Sequence, residues 1–104
     1  PGFKVACSPG SLQEINRIVD LVQYIAKGLG DRFKKNLLTE IAAIKQNPFA
    51  RSFRYDEVRF AVVKKFPYAA HYTIDEQDRL IKIQAVPGFA QDSEMNWKMK
   101  FPNS

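Results

Sequence analysis

The first half of the chain contains two segments in which apolar residues recur every three or four positions. The first segment, "SLQEINRIVDLVQYIAKGLG", begins at Ser11. Ser11 and Glu14 have the spacing of a capping box, so the pattern predicts a helix that starts at Ser11. Gly28 and Gly30 can adopt the left-handed conformation that ends many helices. The apolar stripe of this helix contains Leu12, Ile15, Ile18, Val19, Val22, Ile25, Ala26 and Leu29.

A second helix is predicted to follow almost at once. Asp31 can cap its start, and Asn47 with Pro48 ends it, because proline cannot continue a helix. Its apolar stripe contains Phe33, Leu37, Leu38, Ile41 and Ile44. Two helices joined by so short a connection are expected to lie antiparallel, as a helical hairpin.

Four segments have the character of β-strands. Residues 3–7 ("FKVAC") form a short strand before a Ser-Pro-Gly break, and three strands follow the helices. The strand "EVRFAVV" places Val58, Phe60 and Val62 on one face and Arg59, Ala61 and Val63 on the other. Residues 68–74 and 80–86 flank the acidic turn "DEQD". In the first of these two strands, one face carries Tyr68, Ala70, Tyr72 and Ile74, and the other face carries His71 and Thr73.

These elements predict a single α+β domain over residues 1–104, with the order β-α-α-β-β-β. Three consecutive strands with short turns form an antiparallel meander, and the helical hairpin packs on one face of the sheet. The other face is expected to stay partly open. Arg59, His71 and Lys82 are the polar residues predicted to share it.

The composition is that of one globular domain. The chain has 104 residues, 45% of them hydrophobic and 26% charged, which excludes a disordered chain. Its net charge of +5 and its pI of about 9.5 give a mild preference for anionic partners. A single cysteine, Cys7, excludes an internal disulfide and a multi-cysteine zinc site. No segment predicts a transmembrane helix or a secretory signal, so a cytoplasmic location is expected.

Residues 3–97 resemble the RelE/ParE superfamily of toxins from bacterial type II toxin–antitoxin modules. The resemblance rests on the order and spacing within "VRFAVVKKFPYAAHYTIDEQDRLIKIQAV" and on the helix end "IKQNPF". One branch of this superfamily, similar to RelE, cleaves messenger RNA in the ribosomal A site without a metal. The other, similar to ParE, poisons DNA gyrase, and the "KKFPY" turn resembles this second branch.

The resemblance implies a growth-inhibiting toxin of the plasmid-stabilisation type, neutralised by a cognate antitoxin. The ParE-like reading implies that it binds a target such as DNA gyrase, with no cofactor and no metal. Two alternatives stay open: a ribosome-dependent endoribonuclease with a non-standard site, and a degenerate member that has lost toxicity. An exposed strand edge or apolar helix face would also allow a homodimer.

The residues argue against the ribonuclease site of the RelE-like branch. Metal-free RNA cleavage needs a general base, an acid and cations that stabilise the phosphorane. Aligned on the resemblance, the strand positions of one arginine and two lysines fall at Ala69, Phe60 and Val62. The arginine expected beyond the last strand is replaced within "PGFAQ". The ionisable residues that remain as weak catalytic candidates are Arg59, His71 and Lys82, with Tyr72 after them.

Residues 51–65 carry a local excess of positive charge and are the predicted target-binding segment. Its cations are Arg51, Arg54, Arg59, Lys64 and Lys65, against Asp56 and Glu57. The alternative is a solvated rim of the fold, since exposed charges contribute little to stability. Lys27, Lys34 and Lys35 flank the helical stripes and are assigned to solubility alone.

The C-terminal segment "PGFAQDSEMNW" differs from the ParE-like pattern that the resemblance implies. It keeps Asp92 and Trp97 but lacks the basic residue and the proline of that pattern. Trp97 is predicted to anchor the tail on the body of the domain or to contact a partner. Residues 98–104 are predicted to form a flexible tail.

Overall fold

The computed structural model of the chain describes residues 2–89, so Trp97 and the predicted tail lie outside the described residues. The described part has two helices and five strands. In chain order these are β1 (Lys4–Cys7), α1 (Pro9–Ile25), α2 (Leu29–Gln46), β2 (Phe53–Tyr55), β3 (Val58–Val62), β4 (Ala69–Asp75) and β5 (Leu80–Ala85). The α+β class is confirmed.

All five strands form one sheet, with the order β1-β5-β4-β3-β2. Two features of this sheet correct the sequence-based prediction. β1 pairs with β5 in parallel, so the sheet is mixed and not purely antiparallel. β2 was not predicted, because a strand of three residues is too short for its alternation to stand out in the sequence, and all three residues are exposed.

The start of α1 also differs from the prediction. Ser8 is the N-cap: its Oγ accepts a hydrogen bond of 3.0 Å from the amide of Ser11. Pro9 follows at the first helical position, where its fixed φ and missing N–H are tolerated. The predicted capping box is therefore wrong. Glu14 instead accepts the amide of Val86 at 2.7 Å and ties the helix to the end of β5.

The connection between the helices depends on Gln23 and two glycines. Gln23 Oε1 accepts the amides of Gly28 (3.0 Å) and Gly30 (3.1 Å). Gly28 has a φ of 92°, in the left-handed region, and is the N-cap of α2. Asp31, predicted as the cap, lies in the first turn of the helix. The end of α2 at Gln46, just before Asn47, is confirmed.

The core lies between the helical hairpin and one face of the sheet. It is built from the apolar stripes of both helices and from alternate residues of β3, β4 and β5. Its buried members include Ile18, Val22, Phe33, Leu37, Ile44, Ala61, Val63, Tyr72, Ile81 and Ile83. Leu12 and Leu38 belong to the predicted stripes but are exposed. No helix within residues 2–89 is long and apolar enough to cross a membrane.

The opposite face of the sheet carries no helix among the described elements. The register of the strands defines this open face, since residues directly opposite each other on paired strands project to the same side. Phe60 pairs with His71, and Thr73 pairs with Lys82. The open face includes Phe60, Val62, Ala69, His71, Thr73, Lys82 and Gln84, and by the same register Lys4 of β1.

Candidate functional site

Arg59 does not lie on the open face, contrary to the prediction. It pairs in register with Tyr72, which is fully buried against the helices, so both face the helical side. Its guanidinium lies 4.0 Å from the ring centroid of Phe53 and 5.6 Å from that of Phe49. Nη1 donates to the carbonyl oxygen of Arg51 at 2.6 Å. Arg59 therefore holds the connection between α2 and β2 in place.

Two further contacts fix the same connection. Arg51 donates to Glu40 of α2, with 2.7 Å between Nη2 and Oε2, and the two side chains are 30% and 18% exposed. The buried hydroxyl of Tyr72 donates to the carbonyl oxygen of Pro48 at 2.8 Å. Burial raises the pKa of Tyr72, against the opposing effect of the nearby Arg51 and Arg59, so its phenol stays protonated at neutral pH. Tyr72, named after the three weak catalytic candidates, therefore packs in the core with its hydroxyl bound to backbone.

His71 lies on the open face but is only 8% exposed. The ring of Tyr55 packs against it at a centroid distance of 5.9 Å. Burial lowers the pKa of His71, and nearby Arg54 lowers it further, while Glu14 acts in the opposite direction. The imidazole is therefore neutral at pH 7. Its Nδ1 is buried and has no hydrogen-bond partner among residues 2–89.

Lys82 shares the open face with His71 and is more exposed. Its Nζ lies 3.9 Å from a carboxylate oxygen of Asp75. Beside it, Gln84 Nε2 donates to Thr73 Oγ1 at 3.1 Å. Of the three predicted catalytic candidates, the structure thus brings two to the same face and places Arg59 on the other.

Among residues 2–89, the open face offers little of the chemistry that metal-free RNA cleavage needs. It holds one neutral imidazole, the ammonium group of Lys82 paired with Asp75, and the ammonium group of Lys4 on the edge strand β1. The positions where the resemblance expects two lysines and an arginine hold Phe60, Val62 and Ala69, and Val62 is 43% exposed. A phosphorane on this face would meet apolar side chains where it needs cations. Within residues 2–89, no cluster of His, Cys, Asp or Glu could hold a metal ion.

The five predicted target-binding residues do not form one surface. Arg51 and Arg59 are engaged in the contacts described above, and Arg54 lies on the exposed edge strand β2. Lys64 and Lys65 lie in the turn after β3, beside α2. There they line a groove with a volume of about 290 Å³. This basic groove is lined by Arg32, Lys35, Asn36, Lys64 and Lys65.

Sequence reasoning missed the α2 half of the basic groove, because it assigned Lys35 to solubility and did not consider Arg32. A signal was present in the sequence. Arg32, Lys35 and Asn36 are three and four positions apart, which places them on one face of the helix. Only the fold, however, brings that face next to Lys64.

Solved toxin structures share this fold. A chain from the chromosomal ParDE TA system of P. aeruginosa superimposes with a TM-score of 0.72 and 10% sequence identity, over 85% of this chain and 97% of that one. The isolated E. coli RelE toxin, in its P21 crystal form, superimposes with a TM-score of 0.65 and 12% identity, over 94% and 96% of the two chains. The predicted RelE/ParE fold is thereby confirmed. No protein-family model and no curated protein matches the sequence.

Proposed function

We propose that this chain is a ParE-like toxin of a type II toxin–antitoxin module. It acts in the cytoplasm by binding a cellular target such as DNA gyrase, and a cognate antitoxin neutralises it. The fold shared with the ParDE system and RelE toxin structures supports a toxin. Binding is favoured over catalysis by the chemistry of the open face.

The observation that carries the proposal is the apolar character of Phe60, Val62 and Ala69 on that face. Cleavage through the 2′-hydroxyl needs a base, an acid and several cations at one phosphate, and each such group contributes orders of magnitude in rate. Here Lys82 is paired with Asp75, and buried His71 is neutral. A surface with apolar side chains and few unpaired charges is suited to contact with another macromolecule.

The proposal is tested with the purified chain in two parallel assays. The first is the supercoiling of relaxed plasmid by DNA gyrase, and the second is cleavage of messenger RNA on programmed ribosomes. We expect inhibition of supercoiling and intact messenger RNA. Intact supercoiling together with A-site cleavage would refute the gyrase proposal in favour of an endoribonuclease.

The endoribonuclease alternative is favoured by one observation, the fold shared with the RelE toxin over nearly the whole chain. In that case His71 and Lys82 would be the groups that act on RNA, and their replacement by alanine would abolish cleavage. Arg59 is a poor probe of catalysis despite its charge. Its replacement also removes the contacts that hold the α2–β2 connection, so its effect on stability must be measured separately.

The antitoxin partner is tested by co-expression with the product of a neighbouring small reading frame. We expect a stable complex and restored growth. A chain that arrests growth but forms no such complex would retain the toxin assignment and lose the antitoxin assignment. A chain that causes no arrest would be a degenerate member of the fold.

A further inference from the structure

The basic groove concentrates positive charge at one place on the surface. Four of its five lining side chains are cations, Asn36 is the fifth, and none is a carboxylate. Arg32, Lys35 and Lys64 are all exposed. Like charges held at the same concave surface raise the local positive potential. An anion that enters the groove is therefore attracted by several cations at once.

The groove is held in shape by the protein itself. Asn36 Nδ2 donates to the carbonyl oxygen of Lys64 at 2.9 Å, which joins the turn after β3 to α2. Lys65 has a φ of 70°, in the left-handed region, so the backbone of the turn adopts a defined and sterically demanding conformation. Two elements that are bonded to each other thus present their cations toward the same space.

We propose that the basic groove binds an acidic peptide segment of a partner protein, through several carboxylates. Single-stranded nucleic acid is disfavoured because no aromatic ring lines the groove, and binding of single strands relies on stacking of bases on such rings. A duplex is disfavoured because protein–DNA interfaces bury roughly 600 Å² of protein surface or more, and the five residues that line this groove form a much smaller site. Carboxylates on a peptide fit both the charge and the size.

The experiment is a titration of the full chain with a hexaglutamate peptide at low salt, in which ¹⁵N–¹H NMR spectra are recorded at each peptide concentration. The test variant is Lys35→Gln/Lys64→Gln, which removes two groove charges at exposed positions and leaves Lys65, with its positive φ, unchanged. The matched control is Lys4→Gln/Lys45→Gln. Lys4 lies on the edge strand β1, which is separated from β3 by β5 and β4. Lys45 lies about 15 Å along α2 from Lys35, at 1.5 Å rise per residue.

We expect shift changes centred on the groove residues and an affinity that the test variant lowers at least fourfold more than the control, roughly what two exposed charge pairs contribute. Equal losses in the two variants, or shift changes spread over the surface, would overturn the proposal. Tighter binding of a thymidine oligonucleotide of equal charge in the groove would overturn the choice of a peptide. Because the titration involves neither gyrase nor growth, its failure is distinguishable from failure of the proposed function.

Discussion

The hydroxyl of Tyr72 makes a buried hydrogen bond that joins the sheet to the α2–β2 connection. It donates to the carbonyl oxygen of Pro48 at 2.8 Å, and the tyrosine is fully buried. The change Tyr72→Phe keeps the ring and removes only this donor. Pro48 is buried too, so its carbonyl oxygen loses its partner without gaining water.

The size of the effect follows from that geometry. A buried hydrogen bond contributes about 1 kcal/mol net, and a buried acceptor left without a partner costs more. We therefore expect the variant to lose about 1–2 kcal/mol of unfolding free energy. For a domain of this size, that corresponds to a fall in Tm of roughly 4–16 °C.

The assay is thermal and urea unfolding of wild-type protein, Tyr72→Phe and a control, Tyr24→Phe. Tyr24 is 89% exposed, so loss of its hydroxyl is expected to change stability by less than about 0.5 kcal/mol. Equal stabilities of the two variants would refute the reasoning, because the buried hydroxyl would then contribute nothing that an exposed one does not.

The same pair of proteins has a predicted pH dependence. Burial raises the pKa of Tyr72 in the folded state, so the unfolded chain releases this proton first as the pH rises. Wild-type stability should therefore fall above about pH 10, and Tyr72→Phe should lack this contribution. The stability difference between wild type and variant is expected to shrink as the pH increases through that range. A difference that grows would mean that the phenol ionises more easily in the folded state.

Two further predictions concern the open face and the helix contact. Because burial lowers the pKa of His71, the unfolded chain binds this proton first, and stability should fall as the pH drops below about 6.5. In urea unfolding, His71→Phe should not show this loss of stability. A variant that loses as much stability at acid pH as the wild type would contradict the prediction. A Cβ at Gly30 would lie 3.1 Å from the carbonyl oxygen of Val19 and from Gln23 Oε1, which already accepts the Gly30 amide. Gly30→Ala should therefore lower Tm, at a net cost of about 1 kcal/mol, whereas Gly10→Ala, with open space around it, should keep or raise Tm. The reverse order of these two Tm changes would rule out close helix contact at Gly30.

Local patterns in the sequence predicted the regular elements well. The helical stripes place Phe33 and Ile44 in the core, Asn47 follows the end of α2, and the alternation in β4 separates Tyr72 from His71. These signals depend on neighbours three, four or two positions apart, which the sequence records directly. The start of α1 was missed because the proline after Ser8 was read as a break, although proline is also favoured at a first helical position.

The features that could not be predicted depend on contacts between distant residues. The parallel pairing of β1 with β5 joins segments more than seventy positions apart, and no local pattern encodes it. Arg59 lies on the helical face by alternation, but its role became evident only from the α2–β2 connection that it contacts through Arg51 and Phe53. The basic groove likewise needs α2 beside the turn that holds Lys64.

The proposed function depends on what stops first in a growing cell. The most direct measurement is dual pulse-labelling of protein and DNA synthesis in one bacterial culture after induction of this chain. A ParE-like toxin that acts by binding gyrase should lower DNA synthesis first, while translation continues. An immediate fall in translation, with DNA synthesis unaffected, would contradict the proposal and point to ribosomal messenger RNA.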